Sequence, residues 1–438
     1  MTIPGVGTAT TVILTGPLPP TDAESSGDPG FPIYELTVSA AVPSETIDEL
    51  YFTAFAERYN AGVDYNGVVR WYTTLDIPAF NFERIANGHF LSTASRFNDA
   101  KHIYEFDLVG RIHKVYVLDN RCHHSIYEMA DGNLLLTSEN TGTTDEDGLS
   151  IIDVNTGLEL AYYDMRNVLD VNRVPIPSSA TDIDWLHINQ SYLNTTNNLI
   201  IASGRAQGIF AVDADTSRLA FILANHEDWN SYYKPYLLTP VDENGTALYD
   251  LSDADDIDKA DKEFWPWGHH AVLEVPDTTQ GIVEFFAFDN GNFRSRNVEK
   301  AILPDNNYSR IVRYRVDVNN MTVMKIFEYG ETEVGNRGYS SFVSNEAVLE
   351  NGNYFINFGG GMVDENGRRT TRLPGITDIE DPLVGDMTQG IVLLQEIDPE
   401  TKEVQVEFTA TSGVLVDGRD EFYSFCSHKL PLIHSSDF

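Results

Sequence analysis

ELYFTAFAERYNAGVDYNGVVRWYTTL (residues 49–75) and EFYSFCSHKLPLI (residues 421–433) are the two stretches that decide the fold. The first contains short runs rich in aromatic and β-branched residues, which are typical of outer strands with no inner strand before them. The second is typical of an inner strand with nothing after it. Joined, they form one sheet from both ends of the chain. Such a shared sheet closes a ring of sheets and leaves no long exposed edge, which predicts a β-propeller.

A loose repeat fills the chain between these two stretches. Each copy contains an inner strand, an Asn-Gly or Asp-Gly turn, an apolar strand, a strand ending in Asp, a polar turn and an outer strand. The copies occupy residues 81–119, 123–165, 184–223, 267–330 and 340–410. With the shared sheet they predict an all-β, six-bladed propeller over residues 46–438. Residues 1–45 contain apolar runs at 10–14 and 34–41, which predict a short β-hairpin packed outside the ring.

Composition excludes several classes of protein. The chain has 29 basic and 67 acidic residues and a formal charge of −38, so nucleic-acid binding is disfavoured. No apolar run approaches the length of a membrane-spanning helix, and residues 1–16 lack the pattern of a signal peptide. The acidic stretches 253–261 and 144–148 do not have the ligand spacing of a calcium loop, which favours a solvated surface. A surface this acidic and poor in lysine suits a saline environment.

Two cysteines, Cys122 and Cys426, are present. They are far apart in sequence, but a closed ring brings its first and last blades together, so a disulfide is geometrically feasible. Two buried thiols are the favoured interpretation. A zinc site built from Cys122, His123, Cys426 and His428 is a weaker alternative, because no two of these residues have zinc-finger spacing.

Several histidines fall at or near the predicted inner strands, which line the central channel of a propeller. Successive strand residues face opposite ways, so each neighbouring pair is expected to send one ring inward. Buried imidazoles clustered without a task would be costly. The sequence therefore predicts a functional site at one mouth of the channel, built from His123, His124, His187, His269, His270 and His428 together with Cys426.

Arginines follow the apolar strands of two repeats. Arg205 lies in SGRAQG, and Arg294 and Arg296 lie in FDNGNFRSR. A guanidinium beside imidazoles is suited to an oxyanion such as sulfate or phosphate. The chain has no glycine-rich phosphate loop, no GxSxG elbow and no HExxH motif. The predicted chemistry is therefore anion handling by side chains, with histidine as nucleophile or acid/base and without cofactor or metal.

Four motifs, DIDWLHINQS, WGHHAV, FDNGNFR and IFEYG, in this order resemble those of the bacterial arylsulfate sulfotransferases. The resemblance covers roughly residues 50–430 and implies that the family's N-terminal β-sandwich is shortened in this chain. It implies a periplasmic or extracellular six-bladed propeller that moves a sulfuryl group from an aryl sulfate to a phenol by a ping-pong mechanism, with no nucleotide donor. His187 and His270 match active-site histidines of the family, and Arg294 matches its sulfate-binding arginine.

The chain departs from the family in the blade after the arginine motif. The family's nucleophilic histidine belongs there, but residues 331–389 contain no histidine. The corresponding stretches are GYSSFVSNE (338–346) and NYFINFGGG (353–361). Either His124 or His428 has taken the role of nucleophile, or the acceptor attacks directly, or sulfuryl transfer is lost.

Three functions remain open on the sequence. The leading one is a sulfotransferase with catalytic His187, His270, His124 and His428 and substrate-binding Arg294, Arg205, Asn189 and Tyr339. The second is a non-catalytic propeller that binds an anionic or aromatic ligand or a protein partner. The third is a metal-dependent enzyme with axial histidine ligands. The aromatic residues near the blade starts suit a phenol ring, although blade packing is favoured for most of them: Trp71, Trp185, Trp265, Trp267 and Tyr423. The oligomeric state stays open, with a homodimer as one alternative.

Overall fold

The computed structural model describes residues 34–41, 49–55, 59–65, 67–73, 81–93, 101–139, 146–173, 184–371, 388–412 and 423–431. Within these ranges the chain forms 26 β-strands and one α-helix, and the strands make six sheets. Because each sheet follows the next around a ring, the prediction of an all-β, six-bladed propeller is confirmed. No helix in the described ranges is long and apolar enough to cross a membrane.

The closing blade is built from both ends of the chain, as predicted. Its strands are β2 (Glu49–Phe55), β3 (Tyr59–Val63), β4 (Val69–Tyr72) and β26 (Ser424–Pro431). Strand β26 is the inner strand and pairs antiparallel with β2, in a register that sets Leu50 opposite Leu430. This pairing is a backbone hydrogen-bonded seam that holds the two ends of the ring together.

The five other blades follow in chain order, each with its first strand innermost. Blade 1 comprises β5 (Phe82–Arg84), β6 (Phe90–Thr93), β7 (His102–Phe106) and β8 (Ile112–Val117). Blade 2 comprises β9 (Arg121–Glu128), β10 (Leu134–Glu139), β11 (Gly148–Ile152) and β12 (Glu159–Asp164). Blade 3 comprises β13 (Ile188–Asn194), β14 (Leu199–Gly204), β15 (Gly208–Asp213) and β16 (Leu219–Leu223). Blade 4 comprises β18 (Val272–Val275), β19 (Ile282–Asp289), β20 (Arg310–Asp317) and β21 (Thr322–Tyr329). Blade 5 comprises β22 (Asn345–Val348), β23 (Tyr354–Val363), β24 (Gln389–Ile397) and β25 (Val404–Ser412).

Two blades carry a fifth strand at the outer edge. Strand β1 (Tyr34–Ala41) pairs antiparallel with β25 of blade 5, and β17 (Thr239–Pro240) pairs parallel with β21 of blade 4. The other half of the predicted N-terminal hairpin, residues 10–14, lies outside the described ranges. The hairpin therefore stays a prediction, while its second run is an edge strand of the propeller.

Six hydrophobic clusters hold the ring together, one between each pair of neighbouring blades. The alternation of strand side chains creates them: Leu134 and Leu136 pack toward blade 1, whereas Leu135 packs toward blade 3. The aromatic residues near the blade starts belong to these clusters, which supports blade packing as their role: Trp71, Trp185, Trp265, Trp267 and Tyr423.

The acidic stretch 253–261 is mainly a helix, α1 (Ala254–Glu263), which the sequence interpretation of a surface loop missed. The Asp253 side chain caps the helix by accepting hydrogen bonds from the backbone N–H groups of Asp255 and Asp256. Acidic residues in the first turn also favour the helix through its dipole. The Ser-Asp-x-Asp-Asp pattern was the signal available in the sequence.

Both cysteines are free, buried thiols, so the disulfide alternative is wrong. Cys122 lies in the cluster between blades 1 and 2, and Cys426 lies in the cluster between the closing blade and blade 1. Burial raises the pKa of both thiols. Ring closure brings their blades close, but each cysteine faces a different blade interface.

Glu346 on inner strand β22 is a buried carboxyl group whose oxygens find no hydrogen-bond partner in the other described residues. Burial raises its pKa to about 8. An unfolded chain releases this proton near pH 4.3, so between about pH 4.3 and 8 the folded state binds more protons. The free energy of unfolding therefore falls as the pH rises through this range.

We expect Glu346→Gln to raise the free energy of unfolding at pH 8 by a few kcal/mol, on the order of the proton-linkage energy. The amide stays neutral, so the pH dependence between about 4.3 and 8 should flatten. Denaturant-induced unfolding at several pH values measures both the free energy of unfolding and its dependence on pH. The matched control is Glu350→Gln on the exposed loop after β22, which should leave the profile unchanged. Equal pH profiles for wild type and Glu346→Gln would contradict the prediction.

Candidate active site

The predicted axial histidines lie at the starts of the inner strands. His123 and His124 are in the first half of β9, His187 directly precedes β13, and His269 and His270 precede β18. All five rings are buried. The inner strands run in the same sense around the ring, so their starts meet at one mouth of the channel.

His123 and His124 both reach the same cluster, contrary to the expectation that only one ring of each pair faces inward. Their Nδ1 atoms are 2.9 Å apart, at hydrogen-bond distance. A β-bulge explains this arrangement, because three residues of β9, His123 to Ser125, lie opposite Thr137 alone. Bulges redirect side chains in this way and recur beside active sites.

Two carboxylates contact the imidazole ring of His187. Its Nδ1 lies 2.5 Å from Oε2 of Glu146 and also contacts Oδ2 of Asp184. Burial alone would lower the pKa of His187, but the charges and hydrogen bonds of Asp184 and Glu146 outweigh it and raise the pKa. The ring centroid of His124 lies 4.7 Å from that of His187. The protonated form of His187 is therefore favoured, next to a second imidazole.

Glu146 is a site residue that sequence reasoning missed, because stretch 144–148 was interpreted as solvated surface. Glu146 is 5% exposed and Asp147 beside it is fully buried, so the interpretation as solvated surface is wrong for both residues. Burial would raise the pKa of Glu146, but the nearby imidazoles of His187 and His124 hold it well below the usual range. No spacing signal could have linked Glu146 to His187, since the two residues belong to different blades.

The guanidinium of Arg205 lies beside the imidazole ring of His187. It follows β14, and its Nη1 lies 3.5 Å from Nε2 of His187. A backbone hydrogen bond of 3.0 Å from Arg205 N–H to the His187 carbonyl fixes the two segments together. A protonated imidazole and a guanidinium are both donors, so they are arranged to share an acceptor between them.

His270 is held as a neutral ring with a defined tautomer. Its Nδ1 lies 2.8 Å from Oδ1 of Asn290 and 3.1 Å from the Gly268 carbonyl, and both oxygens are acceptors. The Asn290 amide orientation is fixed because its Nδ2 donates to the Ser340 and Val343 carbonyls. Nδ1 therefore carries the hydrogen, which leaves a lone pair on Nε2. Burial, then the positive charges of Arg205 and His187, lower the pKa of His270 far below its usual value.

Arg294 lies behind His270 in a fully buried ion-pair group. Its Nη1 donates to Oδ2 of Asp289 at 2.8 Å, and the same oxygen accepts from Nε of Arg310 at 2.8 Å. The other Arg294 donors bond to Asn307 Oδ1 and the Tyr308 carbonyl. Asp289 Oδ1 accepts from the Trp267 N–H, so this group braces the segment that carries His270. Direct substrate binding by Arg294 stays a prediction.

The three other predicted site residues take different positions. Asn189 donates from Nδ2 to the His269 carbonyl at 3.0 Å and thereby joins blades 3 and 4. The Tyr339 hydroxyl donates to Oδ1 of Asn292 at 3.3 Å. His428 lies along β26, three residues beyond Phe425, whose ring contacts His124. This separation is about 10 Å along the strand, and the ion-pair partner of His428 is Glu83, at 3.7 Å.

The blade that lacks a histidine supports the site through its backbone. Asn290 Nδ2 donates to the carbonyls of Ser340 and Val343 in the segment before β22. In the GGG run, a Cβ at Gly359 would lie 1.9 Å from the Ser424 carbonyl, so no side chain fits there. These backbone contacts orient Asn290 and with it His270.

Five of the eleven non-glycine residues with a positive φ in the described ranges belong to this site or to the segments that support it. Positive φ angles occur at Glu146 (59°), His187 (56°), Arg294 (45°), Val343 (50°) and Ser344 (93°). Non-glycine residues adopt this region at a cost of about 1–3 kcal/mol each, and a β-branched valine does so rarely. Strained residues that gather in one place are a mark of a functional site.

Two sets of side chains here could hold a metal ion: His123, His124 and Glu146, and Glu146, Asp184 and His187. Hydrogen bonds already join the same atoms, so protons can hold the groups together without an ion. The zinc alternative that joined Cys122, His123, Cys426 and His428 is wrong. The two cysteines face different blade interfaces, and His123 bonds to His124.

The fold and site together define a six-bladed propeller with a buried histidine–arginine centre at one mouth. The family model "Arylsulfotransferase (ASST)" matches residues 35–417, and the chain therefore belongs to the arylsulfotransferase family. The resemblance drawn from the four motifs is confirmed.

Two curated relatives share this family's name. An arylsulfate sulfotransferase AssT of Escherichia coli O6:H1 is 25% identical over 360 residues, which cover 71% of this chain and 54% of the relative. The AssT of Lelliottia amnigena is 26% identical over 359 residues, with the same coverage. The chain thus spans about half the length of these relatives. A crystal structure of a protein of unknown function from Bacteroides caccae covers 37% of this chain and 58% of its own, at 9% identity and a TM-score of 0.27. That likeness is too slight to bear on fold or function.

Proposed function

We propose that this protein transfers a sulfuryl group from a phenolic sulfate ester to a phenolic acceptor, with His270, His187 and Arg205 at the reacting centre. The observation that carries the proposal is the pairing of two buried imidazoles whose surroundings differ: two carboxylates contact His187, whereas His270 is held by neutral acceptors. The pKa of His270 is lowered and the pKa of His187 is raised within one buried cluster. Environments that push two pKa values apart assign a nucleophile or base and an acid.

The sulfate group of the donor would bind between the two cations. Arg205 Nη1 and His187 Nε2 lie 3.5 Å apart, and both are donors when His187 is protonated. An anion that accepts from both relieves their mutual repulsion. Charge-assisted hydrogen bonds of this kind are about twice as strong as neutral ones, because donor and acceptor are both ionised.

In the first half-reaction, His270 Nε2 would attack the sulfur atom as the sulfur–oxygen bond to the aryl group breaks. The leaving phenolate takes a proton from His187 and departs as the phenol. The sulfated ring of His270 carries a positive charge that its Nδ1–H shares with Asn290 Oδ1, at 2.8 Å in the free site. This step supplies the histidine nucleophile that the fifth blade lacks.

In the second half-reaction, the acceptor phenol would give its proton to the neutral His187, and its oxygen would attack the sulfur. The nitrogen–sulfur bond breaks, and its electron pair returns to Nε2 of His270. Glu146 and Asp184 restore the protonated His187 because their negative charges favour the cation. Both half-reactions use the same three side chains, as a ping-pong mechanism requires.

The test is turnover of p-nitrophenyl sulfate with and without phenol. The proposal expects release of nitrophenolate that increases with phenol, together with formation of phenyl sulfate. Sulfated protein isolated without acceptor should contain one labile sulfuryl group on His270. Release of free sulfate alone would indicate a hydrolase, and direct displacement would leave no sulfated protein. Binding of an aryl sulfate with no turnover would favour the non-catalytic alternative, which the same anion site also suits.

Removal of the guanidinium should weaken transfer. We expect Arg205→Gln to lower kcat/KM for p-nitrophenyl sulfate by about 10- to 100-fold, since hydrogen bonds to charged groups contribute about 1.5–3 kcal/mol. Arg205→Lys should retain part of the activity because it keeps the charge but loses the fork. Arg218→Gln, an exposed arginine in the same blade, is the matched control. An Arg205→Gln variant with unchanged kcat/KM would remove Arg205 from the site.

We also propose that the protein is periplasmic or extracellular, because its motifs resemble those of the bacterial arylsulfate sulfotransferases. Cell fractionation with an antibody to this chain tests the location.

A further inference from the structure

A second cluster of ligand-type side chains lies at the seam where the ring closes. Glu83 belongs to β5 of blade 1, whereas Cys426 and His428 belong to β26 of the closing blade. Cys426 and His428 are two positions apart, so they project from the same face of the strand. One ligand atom from each of the three residues lies within 4.8 Å of the others.

The separation of the His428 and Glu83 ligand atoms fits a small divalent ion. Nε2 of His428 lies 3.7 Å from Oε1 of Glu83. Ligands about 2.0–2.2 Å from zinc on tetrahedral directions are about 3.3–3.6 Å apart, so a shift of a few tenths of an ångström suffices. Sγ of Cys426 lies 3.8 Å from Oδ1 of Asn81, which offers a carbonyl-type oxygen for a fourth position.

One of the three ligand atoms has no partner without an ion, and a second has weak contacts. Nε2 of His428 is buried and has no hydrogen-bond partner within the described part of the chain. Sγ of Cys426 makes long contacts of 3.8 Å to Oδ1 of Asn81 and to the Phe82 carbonyl, as a weak thiol donor does. A dication would compensate a thiolate, a carboxylate and an imidazole lone pair at once.

The donor set selects the class of metal. A thiolate with an imidazole and one carboxylate suits zinc and similar borderline ions, whereas magnesium and calcium prefer oxygen ligands alone. We propose that Glu83, Cys426 and His428 form a zinc-type structural site that joins the closing blade to blade 1. Since β5 and β26 come from opposite ends of the propeller sequence, the ion would strengthen the closed ring beyond the side-chain contacts that already cross this seam, such as the pair of His428 with Glu83.

The site lies beside the catalytic cluster but shares no ligand with it: Asn81, next to the Cys426 thiol, donates from Nδ2 to the His124 backbone carbonyl at 2.9 Å. His428 lies about 10 Å along β26 from the contact between Phe425 and His124, by the rise of a strand, and its ion-pair partner is Glu83 rather than an axial histidine. The expected consequence is stability of the closed ring, and sulfuryl transfer should not require the metal.

The experiment uses chelator-treated full-length protein titrated with Zn²⁺ and with Co²⁺. We expect one tightly bound zinc per chain, a rise in the midpoint of thermal unfolding, and a thiolate-to-cobalt charge-transfer band with Co²⁺. Cys426→Ser should abolish that band, and His428→Ala should weaken zinc binding at least about tenfold. Cys122→Ser, a buried thiol at another interface, is the matched control and should retain the full cobalt spectrum.

Three results would overturn the proposal. They are the absence of zinc binding by folded protein, a cobalt complex without a thiolate band, and zinc binding that survives Cys426→Ser but is lost in His124→Ala. The last result would place the ion in the axial cluster instead. Circular dichroism of each variant confirms that it is folded. Because p-nitrophenyl sulfate turnover is measured separately, failure of the metal site and failure of the proposed transferase can be told apart.

Discussion

His270→Ala should abolish sulfuryl transfer, with a loss in kcat of at least about 10³-fold. Alanine removes Nε2, the only atom to which the proposed mechanism attaches the sulfuryl group. The lowered pKa of His270 means that this nitrogen is unprotonated at neutral pH, so the loss should be equally large across the neutral range. Steady-state kinetics with p-nitrophenyl sulfate and phenol measure the effect. Added imidazole should restore part of the activity, because it occupies the space left by the ring.

The matched control is His226→Ala. His226 is also largely buried with a lowered pKa, but it lies against Trp265 and bonds to the Leu238 carbonyl, and neither partner belongs to the proposed reacting centre. We expect its kcat to stay within a few-fold of wild type. A His270→Ala protein that still forms a labile sulfated intermediate would show that another residue is the nucleophile. His124 would then be the next candidate, because its ring lies beside that of His187.

Asp289→Asn should cost about 3–5 kcal/mol in the free energy of unfolding, the range for breaking a buried ion pair. Asp289 is fully buried and serves two buried guanidiniums, those of Arg294 and Arg310, each at 2.8 Å. Burial opposes its charge, but the two arginines hold the pKa of Asp289 below its usual value. The amide removes this charge and leaves Arg294 without its carboxylate. Chemical denaturation at neutral pH measures the loss.

The sign of the pH effect follows from the lowered pKa of Asp289. Its contribution is present above the pKa that an aspartate has in the unfolded chain and disappears as the pH falls through the folded value. The difference between wild type and Asp289→Asn should therefore shrink in acid. Asp305→Asn, an exposed aspartate in the same blade, should change stability by less than about 0.5 kcal/mol. A stable Asp289→Asn variant would mean that other groups balance the positive charges of Arg294 and Arg310.

Asp289→Asn also has an expected effect on activity. Asp289 accepts from the Trp267 N–H and so positions the segment that carries His270. If the folded fraction is held constant, kcat should still fall because the ring is less precisely held, while binding of the donor sulfate changes little. A loss of activity that follows the unfolded fraction alone would limit Asp289 to a stabilising role.

The sequence was sufficient to predict most of the architecture. Alternating apolar positions define which face of each strand is buried, and turn residues mark the strand ends, so the repeats could be counted. The two incomplete stretches at residues 49–75 and 421–433 then required a shared blade. Helix α1 was missed because its acidic composition suggested exposure, although Asp253 caps it.

The candidate active site was also predictable in part, because the repeats indicate which residues lie near the channel. His124, His187 and His270 lie at or near the starts of the inner strands of successive repeats, and a ring brings these starts together. Arg205 could be proposed because it follows the strand next to that of His187. Glu146 could not be predicted as a site residue, because its contact with His187 depends on how a loop of blade 2 lies against blade 3.

The amino-acid sequence by itself determined the ring, its six blades and the residues available at its mouth, because these depend on local patterns repeated along the chain. Tertiary structure alone decided the electrostatic surroundings of His187 and His270 and the partners of Arg205 and Arg294. Two carboxylates raise the pKa of His187, whereas burial near two positive charges lowers the pKa of His270. It likewise separated Cys122 from Cys426 and placed Glu83 beside His428, since contacts between blades depend on packing that no single repeat encodes.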